Sequence, residues 1–181
     1  HSSRNSIRHI LNGYAPRNEE ESRIYGMKRG LDFISDRQNT ITEENLHQLY
    51  QISTGDYLPD EDRLLPDHFY RHDVVYVVDG EESREGLPAQ QLPDAMKRLV
   101  DFANAKDGIN ELHKAAILHF AFAYYHPYFD GNGRTARLLH LWYLVQQGYP
   151  AALFTPFSRY IAESKAAYYK AYDRVEKNAL I

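Results

Sequence analysis

His126-Pro127-Tyr128-Phe129-Asp130-Gly131-Asn132-Gly133-Arg134-Thr135-Ala136-Arg137 separates two strongly apolar stretches of helical period, residues 111–125 and 133–147. Pro127 disfavours helical geometry at His126, so the imidazole is expected where the first helix opens into a loop. Working outward, residues 19–34 place Ile24, Met27, Leu31 and Ile34 on one helical face behind an acidic first turn, with Asn18 as a cap. Residues 42–52 form a second helix capped by Thr42 and ended by Ser53-Thr54-Gly55-Asp56, and residues 93–104 and 158–177 complete the helical inventory. The one strand signal is residues 72–79, with the run Val74-Val75-Tyr76-Val77-Val78 followed by Asp79-Gly80 and residues 81–86, a short hairpin. The expectation is an all-α fold: one helical bundle with an inserted β-hairpin.

Composition agrees with a single domain. The 181 residues are 43% hydrophobic and 25% charged, enough for a packed core without disorder. Lys and Arg total 21 against 25 Asp and Glu, a formal charge of −4, so nucleic acid and anionic membrane are not expected as bulk partners. No cysteine is present, which removes disulfides, thiolate zinc sites and cysteine nucleophiles. The longest apolar stretch, residues 115–125, contains His119 and falls well short of the ~20 residues of a membrane span. A soluble, cytoplasmic protein is the default expectation, with targeting left open because the sequence begins at His1.

The chemistry lies in the central segment. Gly131 and Gly133 permit positive φ and close approach of backbone to ligand, and with Asn132 between them they can direct successive N–H groups at one anion. The following helix aims its N-terminal dipole at the same spot. Arg134 and Arg137 share a face in its first turn, where cations oppose the dipole unless an anion joins them, and Asp130 beside an anion site is equally odd without a cation. A hard divalent ion such as Mg²⁺, held by one carboxylate and phosphate oxygens, resolves both oddities. A base, a metal carboxylate, an anion nest and two arginines together point to phosphoryl or nucleotidyl transfer from a nucleoside triphosphate. The loop is not a P-loop, since it lacks the Lys-Ser/Thr pair. Taken singly, each member also fits a Gly-rich turn with a satisfied histidine and solvated arginines.

The whole segment resembles the signature of the Fic family, His-Pro-Phe-x-Asp/Glu-Gly-Asn-Gly-Arg-x-x-Arg, with Tyr128 where the family usually has Phe. Ala115-Ala116-Ile117-Leu118-His119-Phe120 is similar to the helix leading into the signature, and Phe157-Ser158-Arg159-Tyr160-Ile161 through Tyr168-Tyr169 resembles the helix after it. Tyr70-Arg71 to Pro88 resembles the family's β-hairpin flap, and the likeness covers about residues 24–177. It implies one Fic domain over 1–181, with a flap at 68–88, a catalytic helix-loop-helix at 111–147, and at 1–18 an inhibitory-helix region or an added remnant.

The resemblance also implies a reaction, transfer of AMP from ATP to a Ser, Thr or Tyr hydroxyl of a target protein with release of pyrophosphate. His126 resembles the general base and Asp130 the ligand of the Mg²⁺ bridging the α- and β-phosphates. Gly131, Asn132 and Gly133 match the anion-binding loop, and Arg134 and Arg137 the arginines that hold the β- and γ-phosphates. The flap residues Val74, Val75, Tyr76, Val77 and Val78 offer an edge on which an extended target segment can pair, while the plain alternative for them is a core-facing strand. Self-modification and homo-oligomerisation stay open, as do AMP removal, transfer of another phospho-group, and a catalytically silent nucleotide-binding regulatory module.

Three further readings complete the sequence. His119 is a core residue and not a metal ligand, and Trp142 is core. Ser6-Ile7-Arg8-His9-Ile10 resembles the place of the family's inhibitory helix, but Arg8 stands where its Glu is expected, so autoinhibition through Arg137 is not expected. Thr40-Ile41-Thr42-Glu43-Glu44-Asn45 fits the inhibitory pattern in letters and is better explained by helix capping.

Overall fold

A computed structural model describes residues 2–54 and 58–154 of the chain. The helix expected over 158–177, and the resemblance noted from Phe157 onward, lie outside the described residues.

The described residues form α1 (Ser2–Leu11), α2 (Glu19–Ser35), α3 (Glu43–Thr54), the strands β1 (Tyr76–Asp79) and β2 (Glu82–Glu85), α4 (Leu92–Asn104), α5 (Glu111–Tyr125) and α6 (Asn132–Gln146). Three of the expected helices, α2, α3 and α5, begin at a capping side chain. The Asn18 side chain accepts from Glu21 N at 2.9 Å, Thr42 Oγ1 from Asn45 N at 3.0 Å, and Asn110 Oδ1 from Leu112 N at 2.9 Å. Thr42 and its neighbours therefore serve as a helix start: Asn45 also reaches back to the Thr40 carbonyl at 2.7 Å, and Glu43 accepts from the Tyr70 hydroxyl at 2.7 Å.

α5 and α6 pack against each other at the centre, α2 lies across α3 and α6, α1 rests on α2, and α4 covers α5. Leu118 and Phe122 of α5, Leu138 and Trp142 of α6, Ile34 of α2 and Leu46 of α3 are fully buried in one core. α2 approaches so closely because two of its inward positions are glycine. A Cβ on Gly26 would stand 2.0 Å from Ser53 O, and one on Gly30 would stand 2.6 Å from Leu138 Cδ1. The indole N–H of Trp142 donates to Asn39 O at 2.7 Å, satisfying the one polar atom of that buried ring. Glu21 is also buried, and its carboxyl is held down to about 2, first by the Arg17 guanidinium at 2.6 Å.

The hairpin departs from expectation in its extent. β1 starts at Tyr76, not at residue 72, because Val74 N–H is taken by the side chain of Asp73 at 2.7 Å and the ladder proper runs from Tyr76 opposite Glu85 to Asp79 opposite Glu82. Val74 and Val75 therefore precede the strand. The run is not core-facing either. Val74, Tyr76 and Val78 are exposed, whereas Val75 and Val77 are half-buried, so the period of two turns one face to the body and leaves the other open.

Candidate active site

α5 ends at the proposed base. His126 N still donates to Phe122 O at 2.9 Å, but the residue itself has φ 51 and ψ 61. Pro127 excludes the right-handed conformation as expected. The backbone escapes into the left-handed region and not into the extended one, at a cost on the order of 1 kcal/mol for a non-glycine residue.

The imidazole is half-buried, with Nδ1 3.3 Å from Ala123 O, which fits an Nδ1–H donor and leaves the lone pair on Nε2. Burial pushes its pKa below the ordinary 6.5. The charges of Arg84 and Arg71 add to that, while the Ala123 carbonyl and Asp130 work the other way. At neutral pH the ring is therefore an uncharged acceptor, the form a base requires.

The loop beyond it is closed by Asn132, which is buried and spends its amide on Tyr128: Oδ1 accepts from Tyr128 N at 2.9 Å and Nδ2 donates to Tyr128 O at 2.7 Å. The Tyr128 ring is fully buried and stacks on Tyr50 with centroids 3.9 Å apart. Gly131 is the N-cap of α6 at φ 82, and a Cβ there would stand 2.5 Å from Thr54 Cγ2. Gly133 differs from expectation. It lies within α6 and takes no positive φ, and a Cβ there would meet Arg137 Nη1 at 3.6 Å, an ordinary contact. Helix geometry leaves the N–H groups of Asn132 and Gly133 without intrahelical acceptors at the start of α6.

The two arginines are placed unequally. Arg134 is half-buried and donates from Nη1 to Ser53 O at 3.1 Å, at the C-terminal end of α3. Arg137 is exposed. Desolvation and then the charge of Arg134 lower its pKa, so two cations sit together at the positive end of a helix dipole. An anion bound between them relieves both.

Asp130 turns Oδ1 to Gly131 N at 2.7 Å. Its charge is felt by Asp62, whose pKa is raised by burial and then by Asp130. Among the described residues no group of three or more His, Cys, Asp or Glu could hold a metal ion, so a divalent cation beside Asp130 would draw its other ligands from phosphate and water. Asp130, with Asp62 near enough to feel its charge, offers the oxygen donors that would suit a hard cation such as Mg²⁺.

Of the remaining expectations, Arg8 is exposed on α1, whose buried residues Ser6 and Ile10 share the other side of the helix. His119 is half-buried and meets His140 edge-on across the α5–α6 contact, with ring centroids 6.1 Å apart. Two residues escaped the sequence reading, Arg71 and Arg84, whose guanidinium groups reach the carbonyls at the end of α5. The available signal was weak: one arginine just before the hairpin and one within it, both distant in sequence from the end of α5.

A model of the Fic/DOC family matches residues 40–144. The chain is 35% identical over 157 residues to the protein adenylyltransferase fic-1 of Caenorhabditis elegans, which covers 83% of this chain and 28% of that protein. It is 28% identical over 140 residues to the protein adenylyltransferase Fic of Drosophila willistoni, covering 75% of this chain and 26% of the relative. The chain thus spans about a quarter to a third of the length of these curated relatives. Its fold is similar to that of a Fic family protein from Desulfovibrio desulfuricans, with a TM-score of 0.73 at 20% identity over 97% of this chain and 52% of the other. With the signature segment assembled at the meeting of two packed helices, and the family model covering more than half of the sequence, the chain belongs to the Fic/DOC family.

Proposed function

We propose that this chain is a protein adenylyltransferase, moving AMP from ATP to a Ser, Thr or Tyr hydroxyl of a target protein. The observation that carries the reading is the pairing of His126, a neutral imidazole at a left-handed corner, with the anion-binding start of α6 six residues later. A phosphate site alone fits many functions, but a base at its rim fits chemistry on a bound nucleotide. The adenylyltransferase relatives support the same reaction.

In this reading the N–H groups of Asn132 and Gly133 and the side chains of Arg134 and Arg137 hold the triphosphate, with Gly131 shaping the turn that presents them. Nε2 of His126 takes the proton of the target hydroxyl as its oxygen attacks the α-phosphorus, the bond to the β-phosphate breaks, and pyrophosphate leaves. Asp130 would hold Mg²⁺, which when bound screens the charge of the triphosphate. The backbone edge of β1 that faces away from β2 would take an extended target segment, since among the described residues β1 pairs only with β2.

The test is mass spectrometry of a cell lysate incubated with the chain, ATP and Mg²⁺. A gain of AMP on a protein hydroxyl is expected. A gain of phosphate would show a kinase, and no covalent product would show a nucleotide-binding module.

A further inference from the structure

α5 carries no basic residue in its last turn, yet its C-terminal carbonyls are met by two cations from outside the helix. Arg84 of β2 donates from Nη1 to Tyr124 O at 3.1 Å, and its guanidinium carbon lies 4.5 Å from the centroid of the Tyr124 ring. Arg71 goes deeper and is only 2% exposed. Its Nε donates to His126 O at 2.7 Å, and one terminal nitrogen donates to Tyr125 O at 3.2 Å and to Leu87 O. The other terminal nitrogen donates to Asp73 O at 2.9 Å.

These four carbonyls form two pairs. Asp73 and Leu87 stand at the two ends of the flap, and Tyr125 and His126 form the corner that carries the base. Backbone bonds reinforce the junction: Arg71 N donates to Pro127 O at 2.9 Å, Gly86 N to Val75 O at 2.9 Å, and Leu87 N to Tyr125 O at 3.3 Å. The packing leaves no slack, because a Cβ on Gly86 would stand 2.8 Å from Arg71 Nη2 and 3.3 Å from His126 Cβ. No carboxylate pairs with Arg71 among the described residues. Its charge is met by carbonyl dipoles, including the negative end of α5. Only a planar fork with five donors can serve carbonyls in this arrangement, and an ammonium point charge cannot.

We propose that Arg71 is a positioning residue of this active site, joining both ends of the flap to the backbone of His126 in one rigid frame. It holds the imidazole in its left-handed corner and fixes the distance from β1 to that imidazole. The register in which a target segment pairs with β1 then determines whether its hydroxyl reaches Nε2. The flap on this account is a fixed ruler and not a hinged lid, with Arg84 as the outer of two ties. The catalytic consequence rests on the adenylyl-transfer reading; the frame itself does not.

The experiment compares the full chain with Arg71→Lys, Arg71→Gln and Arg84→Gln. In its first arm, hydrogen exchange is expected to speed up at least about tenfold at the amides of Gly86 and Leu87 in each Arg71 variant, with α2 and α3 unchanged. The Cα chemical shift of His126 should move away from its left-handed value in the same variants. In its second arm, the rate of AMP transfer to the lysate protein that the wild type labels is expected to fall about 10- to 100-fold, with ATP affinity within about twofold and without rescue by Lys. Should the Arg71 variants fail to fold, the exposed Arg84→Gln carries both arms, with faster flap exchange and slower transfer expected at unchanged ATP affinity. Wild-type exchange at Gly86 and Leu87 in a folded Arg71 variant, or in Arg84→Gln if neither folds, would overturn the proposal. So would loosened exchange with undiminished transfer. A wild type that labels nothing would remove the adenylyl-transfer reading, and the first arm would still decide the frame.

Discussion

The side-chain amide of Asn132 bonds both backbone polar atoms of Tyr128, accepting from its N–H at 2.9 Å and donating to its carbonyl at 2.7 Å. One buried residue thereby closes the turn between His126 and α6 and presents the N-terminus of α6 at a fixed angle. Asn132→Asp keeps the acceptor but sets a carboxylate oxygen against the Tyr128 carbonyl. We expect a loss of about 1–3 kcal/mol in stability, and ATP binding weakened with it, read by urea denaturation and calorimetry. Unchanged values in both would show that the turn holds without this bridge.

Gly131 and Gly133 should respond to alanine with opposite signs. At Gly131, φ 82 and a Thr54 methyl that would stand 2.5 Å from the new Cβ predict a loss of about 1–3 kcal/mol. At Gly133, helical and exposed, alanine is expected to stabilise by up to about 1 kcal/mol, because its Cβ would meet only Arg137 Nη1, at the ordinary contact distance of 3.6 Å. Thermal denaturation of the two variants decides it, and a matching change in both would contradict the placement.

Tyr128 stands where the family usually has Phe, and its hydroxyl is buried with no hydrogen-bond partner among the described residues. Removing that hydroxyl breaks no hydrogen bond among the described residues. Tyr128→Phe is expected to leave ATP binding intact and to raise stability by about 1 kcal/mol or leave it unchanged. A loss above that figure in urea denaturation would reveal a partner for the hydroxyl.

His140 is buried in α6, and burial, followed by the neighbouring His119, lowers it from 6.5 to about 4. Between those values the unfolded chain binds a proton that the folded chain refuses, so stability falls as pH drops through that window, by on the order of 3 kcal/mol in full. His140→Gln should flatten this part of the stability-against-pH curve measured by urea midpoints. A curve as steep as that of the wild type would place the acid sensitivity elsewhere.

The helices were legible chiefly through their apolar period, and two of them also through a side chain suited to capping: Asn18 and Thr42 mark starts that the structure reproduces. The order of the central segment announced a histidine corner and a glycine-led helix start for equally local reasons, Pro127 and Gly131. What stayed hidden depends on long-range contact. Val74 and Val75 read as strand by composition, but Asp73 caps Val74 N–H and delays the ladder to Tyr76. Asn132 read as part of the loop through its backbone N–H, and nothing local announced that its side-chain amide bridges both backbone atoms of Tyr128. Arg71 looked like one more charge before a hairpin, because its acceptors Leu87, Tyr125 and His126 come from segments up to 55 residues away.

The central claim is that His126, uncharged at neutral pH, accepts the proton of a hydroxyl attacking the α-phosphorus of ATP. The most direct measurement is the initial rate of protein labelling from ATP carrying its label on the α-phosphate, for wild type and His126→Ala, from about pH 5 to about pH 8. The lowered pKa of His126 predicts a wild-type rate that is level near neutrality and falls only below 6.5, as the imidazole takes up a proton and ceases to be a base. It also predicts a His126→Ala rate about 10²- to 10⁴-fold lower across the range, and no labelling from ATP marked on the γ-phosphate. Equal rates for the two proteins, or label arriving from the γ-phosphate, would contradict the account.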